Sequence, residues 1–283
     1  MKGRLRRTAK IGIKLLFSFL ALYIVLSQVD NQQMAKALAQ ANGWWLVAAL
    51  LFFNLSKIVS ALRLNLYFSQ MKLALSTIDN LKLYYLGMFY NLFLPGGIGG
   101  DGYKIWLLHK RYHAPVKRLM MATLLDRVSG FVALVVFACL LWPFSRLSLY
   151  IPFAWMAPGI ALIVSLGFWW GHQRFFALFH PVFFQTSLLG AAVQLLQLCC
   201  AGMILVALGC DHLSDYLLLF LISSVLATLP LSVGGIGIRE LTLLYGAGIL
   251  GDKGVEAVLF SLLFFTITAL SSLVGLFFQG EYR

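Results

Sequence analysis

Runs of about twenty apolar residues recur along this whole sequence, and a run of that length crosses the hydrocarbon core of a bilayer as one helix. Full-length runs cover 11–29, 44–62, 119–142, 151–170, 187–208 and 255–278. Two further apolar stretches, 83–108 and 217–250, are broken in the middle by LPGGIGGDG and LPLSVGGIG. Charged residues make up 11% of the chain and hydrophobic ones 61%. A water-soluble domain carries about 25% charged residues, so a soluble fold of this length is excluded. Backbone in hydrocarbon must satisfy its own hydrogen bonds, and the runs are therefore predicted to be helices.

The net charge of +12 does not mark a nucleic-acid binder, because the bases are spread through loops and not gathered on one module. They read as topology. With a cytoplasmic N-terminus and both broken stretches dipping in and returning, 13 Lys and Arg face the cytoplasm: Lys2, Arg4, Arg6, Arg7, Lys10, Arg63, Lys72, Lys110, Arg111, Lys117, Arg118, Arg174 and Arg283. Lys36, Arg146 and Lys253 fall outside. This asymmetry obeys the positive-inside rule and places both termini in the cytoplasm. Tryptophans agree, with Trp44, Trp45, Trp142 and Trp155 at one boundary and Trp106, Trp169 and Trp170 at the other. The basic start and apolar run imitate a signal peptide, but the polar stretch before Ala37-Leu38-Ala39 is too long for a cleavage region.

The tetrapeptide GGIG occurs twice, at Gly96, Gly97, Ile98, Gly99 and at Gly234, Gly235, Ile236, Gly237. A Leu-Pro pair precedes each copy, and ionisable residues follow: Asp101 and Lys104 after the first, Arg239 and Glu240 after the second. Proline cannot continue a helical ladder and glycine permits the turn. Two discontinuous helices entering from opposite faces are a transporter pattern. We expect an all-α polytopic protein with about six spanning helices and two re-entrant hairpins in an inverted repeat, one domain over 1–283 with halves 1–142 and 143–283. Helix ends restarted after GGIG are expected to offer free N–H groups to an anion. A lipid phosphate is the anion resident in a membrane.

Charges inside a membrane cost about 2.5–3.5 kcal/mol each on insertion scales and face cavities or partners. The candidates are Lys57, Asp101, Lys104, Asp126, Arg127, Arg239 and Glu240. Lys104, Arg239, Lys57, Asn91 and the GGIG glycines are assigned to substrate binding. Asp101, Glu240, Asp126 and Arg127 are assigned to charge balance or coupling. Asp101 and Arg239 are expected to approach each other, and Asp126 and Arg127 to form a structural pair at the cytoplasmic boundary. Lys57 either snorkels or pairs with a neighbouring helix, and Gln194 is expected to hydrogen-bond between helices.

At these residues the sequence resembles the flippase-like transmembrane region of lysylphosphatidylglycerol synthases and its flippase-like membrane relatives. The matching stretches are NLFLPGGIGGDGYK (91–104), DRVSG (126–130) and LPLSVGGIGIRE (229–240), together with the small-polar segment ending at Arg63. The resemblance implies translocation of an anionic phospholipid or related lipid between leaflets of a bacterial cytoplasmic membrane. The chain ends at Arg283, just after its last apolar run, without the soluble aminoacyl-transfer domain of the synthases. A transporter and not an enzyme is therefore expected. Its partners would be membrane lipids and a lipid-modifying enzyme. The alternatives are a membrane-bound glycosyl- or lipid-modifying transferase and a non-transporting accessory subunit.

Other patterns carry less. Gly97, Gly99 and Gly102 fit GxGxxG, but no strand precedes them. His109, His113, His172, His180 and His212 lack paired-ligand spacing, and the four cysteines show no CxxC, so neither a metal nor another cofactor is expected.

Overall fold

A computed structural model describes residues 23, 31–73, 75–93, 99–150, 155–228, 237–252 and 254–282. Apart from Tyr23, the expected first helix over 11–29 lies outside these residues, as do Gly96, Gly97, Gly234 and Gly235. Among the described residues the protein is helical, without a strand. The helices are α1 (Asn31–Gln40), α2 (Gly43–Gln70), α3 (Thr77–Phe93), α4 (Gly99–Tyr112), α5 (Val116–Leu141), α6 (Leu147–Tyr150), α7 (Ala157–Phe175), α8 (Phe183–Ala207), α9 (Leu213–Ala227), α10 (Ile238–Ile249) and α11 (Val255–Phe277). Four helical stretches are long and apolar enough to cross a membrane: Gly43–Gln70, Val116–Phe144, Ala177–Ala207 and Val255–Phe277. The protein is thus a multi-pass membrane protein. Helix α7 covers most of the expected run 151–170, but its last turns, with Gly171, His172, Gln173 and Arg174, are polar.

Local chemistry sets the helix starts. The Asn42 side chain accepts a hydrogen bond from the Trp44 N–H at 3.0 Å, capping α2. The Ser76 hydroxyl accepts from the Asp79 N–H and donates to the Asp79 carboxylate, which starts α3. Helix α2 shows the two faces of a membrane helix. Trp44, Leu51, Leu55, Ile58 and Leu62 are exposed on one. Phe53, Ser56, Ser60, Leu64 and Tyr67 are buried on the other, largely against α8. Small residues such as Cys200, Ala201 and Gly202 on α8 are buried too, as close helix packing in lipid requires.

Two apolar cores occupy opposite halves of α2. One gathers Ala49 and Phe53 with Cys210, Leu219, Leu250, Ala257 and Phe260. The other gathers Leu64, Tyr67 and Phe68 with Leu75, Leu83, Leu107, Leu108 and Ala114. Helices α3 and α4 run antiparallel: Lys104 lies over Tyr84, Tyr103 over Tyr90, and Gly100 beside Gly87. Both ends of this pair, near Leu75 and Ala114, belong to the second core. Helices α9 and α10 are likewise antiparallel, with Leu219 over Gly246. Their far ends are tied together by Arg146, whose Nε lies 2.5 Å from Asp215 and whose Nη2 lies 3.3 Å from Asp252. The bases of the two helix pairs therefore sit towards opposite ends of α2.

Candidate functional site

The ionisable residues singled out above converge where α2, α4 and α5 meet and on the neighbouring start of α10. The Arg63 Nε of α2 meets the Asp126 carboxylate of α5 at 2.8 Å, and its Nη2 donates to the Asp126 carbonyl oxygen at 2.9 Å. On α4, Asp101 holds two cations, the Lys104 ammonium at 2.7 Å and the Arg127 guanidinium of α5 at 2.5 Å. A hollow of about 110 Å³ opens among Tyr84, Met88, Asn91, Asp101, Lys104, Asp126 and Arg127.

The restarted helix ends differ from expectation. The Gly100 N–H donates to Asn91 Oδ1 at 2.8 Å. The Gly237 N–H donates to the Glu240 carboxylate at 2.6 Å, and the Ser261 hydroxyl donates to the other oxygen at 2.8 Å. Glu240 is thereby the capping group of its own helix. These two amides are satisfied within the protein, so Gly99 and Gly237 open helices without offering those groups to an anion. Asn91 is likewise a cap for α4 and Glu240 a cap for α10.

Two cations are left over. The Lys57 Nζ lies 4.4 Å from the centre of the Phe53 ring, and the Arg239 Cζ lies 4.8 Å from that of Phe264. Phe53 and Phe264 meet edge to face at 5.8 Å, so one group of rings carries both charges. Arg239 repels the charge on Lys57. Neither forms an ion pair or hydrogen bond among the described residues, and the buried Nε of Arg239 has no partner. Both lie at membrane depth, Lys57 near the middle of α2 and Phe264 near the middle of α11. A buried ring contact returns about 2 kcal/mol to a cation, against about 2.5–3.5 kcal/mol for placing it mid-membrane. The rings alone do not offset the placement of both half-buried charges at membrane depth.

The sequence of this chain matches the family model described as the lysylphosphatidylglycerol synthase TM region over residues 11–275. The chain belongs to that family. Comparison with individually curated proteins returns no match. The lysylphosphatidylglycerol synthase TM region thus spans both helix pairs and every charge of the cluster, and it ties the chain to membrane proteins related to lipid modification or flipping.

Within this TM region the expected pairings are rearranged. Asp101 does not reach Arg239: Lys104, one turn along on the same helix, and Arg127 occupy its two oxygens. Asp126 and Arg127 do not pair with each other, because successive residues on a helix point in different directions. Asp126 turns to Arg63 and Arg127 to Asp101. Arg63, counted above as a cytoplasmic base, is buried at 4% exposure within α2. Gln194 Nε2 donates to the Gly130 carbonyl oxygen at 3.4 Å, joining α8 to α5 as expected. The ring platform of Phe53, Phe220 and Phe264 was missed. The spacing of Phe53 and Lys57, four apart on one helix face, was its sequence signal.

Proposed function

We propose that this chain moves a phosphate-bearing anionic lipid between leaflets, acting as a transporter and not as an enzyme, in a bacterial cytoplasmic membrane with both termini in the cytoplasm. The observation that carries this reading is the pair of cations, Lys57 and Arg239, held at membrane depth without a salt bridge among the described residues. A lipid phosphate entering between the helices would supply the missing negative charge. The antiparallel pairs α3–α4 and α9–α10, with bases towards opposite ends of α2, support two re-entrant hairpins related as an inverted repeat. On this reading six helices span the bilayer, with 11–29 and α7 joining the four long ones. Lys104 stays with Asp101 in the resting state and joins the headgroup when that pair opens.

The test is leaflet exchange of fluorescent phospholipid in vesicles containing the purified protein. Wild type should accelerate exchange, and Arg239→Ala should lose most of the acceleration while still entering the membrane folded. Exchange at the wild-type rate in folded Arg239→Ala protein would falsify the proposal, and so would no acceleration by wild type. An accessory subunit would give the latter result.

A further inference from the structure

Three buried polar side chains come together behind the hollow, where α2, α5 and α8 meet, and each has an atom without a partner. The Arg63 guanidinium spends Nε and Nη2 on Asp126, and its Nη1 has no hydrogen-bond partner among the described residues. Gln194 spends Nε2 on the Gly130 carbonyl, and its Oε1 has none. The Tyr67 hydroxyl, one turn beyond Arg63 on α2, has none either. All three side chains belong to residues at most 4% exposed. Two glycines fix their meeting place. A Cβ on Gly130 of α5 would lie 3.7 Å from Arg63 Nη1, and one on Gly190 of α8 would lie 3.3 Å from it. Gly130 is the residue whose carbonyl Gln194 reaches, and Gln194 follows Gly190 by one turn of α8. The Tyr67 hydroxyl lies beside Ser129 of α5 and Thr186 of α8, one turn before Gly190. The hydroxyl protons of Ser129 and Thr186 are already given to the Asp126 and Val182 carbonyls, at 3.1 Å and 2.8 Å.

We infer that an ordered water binds in this junction, accepting from Arg63 Nη1, donating to Gln194 Oε1 and taking the Tyr67 hydroxyl as its third partner. The partners select the ligand. An anion would suit Arg63 but would face the Gln194 oxygen and two hydroxyl oxygens whose protons are committed elsewhere. A metal ion would face the guanidinium. Water both donates and accepts, and a buried water makes about three hydrogen bonds to groups that otherwise have none. Reversing the Gln194 amide does not remove the need, because it would set that oxygen against the Gly130 carbonyl oxygen. Glycine at 130 and 190 keeps side-chain bulk away from Nη1. The water thereby holds the end of Arg63 that Asp126 does not. Asp126 lines the hollow with Asp101 and Lys104, so the water is a positioning element for that wall whatever the hollow binds.

The experiment is a crystal structure of the full chain, grown from lipid at a resolution that shows ordered water, for wild type and for Gln194→Leu, with a bromide soak of each. Wild type should show a density peak about 2.6–3.2 Å from both Arg63 Nη1 and Gln194 Oε1, without anomalous signal from bromide. The peak should be lost in Gln194→Leu, which removes the acceptor. Direct contact between Nη1 and Oε1, or a dry gap between them, overturns the inference. So does bromide at the peak, which would make the ligand an anion, and so does an unchanged peak in Gln194→Leu. If Gln194→Leu does not fold, the wild-type map and its bromide soak still decide.

Discussion

Arg63 and Asp126 show how a charge is kept inside a membrane protein. Each is buried, and they meet through one ion pair and one bond to backbone, which leave Arg63 Nη1 without a partner among the described residues. Removing one partner strands the other, at a cost of about 3–5 kcal/mol. Arg63→Ala should therefore lower the thermal unfolding temperature in detergent far more than Arg63→Met combined with Asp126→Leu, where no charge is stranded. Equal losses in the two proteins would show that packing and not pairing sustains α2 and α5. These partners were not legible in the sequence. Asp126 was marked as costly and in need of a partner, but Arg63 was counted as a cytoplasmic base, and their pairing joins residues 63 positions apart, which no local spacing announces. The expected approach of Asp101 to Arg239 fails for the opposite reason: its local neighbour Lys104, three residues on, outcompetes a distant arginine.

Among the elements, the breaks in both interrupted apolar stretches were legible because Leu-Pro and GGIG cannot continue a helix. The structure ends α3 at Phe93 and restarts at Gly99, and it ends α9 at Ala227 and restarts at Ile238. The extent of α2 was not legible, since Arg63 imitates a loop base until its burial partner is known. Packing of the first helix pair depends on one glycine. A Cβ on Gly100 would lie 1.8 Å from the Gly87 carbonyl oxygen, whereas one on Gly102 would meet nothing within 4 Å. Gly100→Ala should force α3 and α4 apart and reduce the yield of folded protein in detergent, and Gly102→Ala should behave as wild type by size-exclusion profile. Indistinguishable profiles for the two would contradict the close approach of the helices.

For the whole molecule, a polar latch closes the end opposite the Arg63 core. Asp215 accepts from the Ser145 hydroxyl and from the Arg146 backbone and guanidinium, while Arg146 also reaches Asp252. Burial raises the Asp215 carboxyl, but the Ser145 and Arg146 hydrogen bonds outweigh it and hold the carboxyl below its ordinary value. A carboxylate so depressed adds stability above its unfolded value, near 3.9, and loses it as pH falls from there through the folded value. Thermal stability in detergent should drop as pH falls below about 4, and Asp215→Asn should flatten that part of the profile. An unchanged profile in Asp215→Asn would mean that the latch does not set acid stability.

The central claim concerns Lys57 and Arg239, two cations kept at membrane depth for a ligand at the expense of stability. Replacing both by methionine removes the unmatched charges and fills similar space, so the account predicts a higher unfolding temperature together with loss of lipid exchange in vesicles. A Lys57→Met, Arg239→Met protein that unfolds at a lower temperature and still exchanges lipid at the wild-type rate would show that the two charges serve the fold alone.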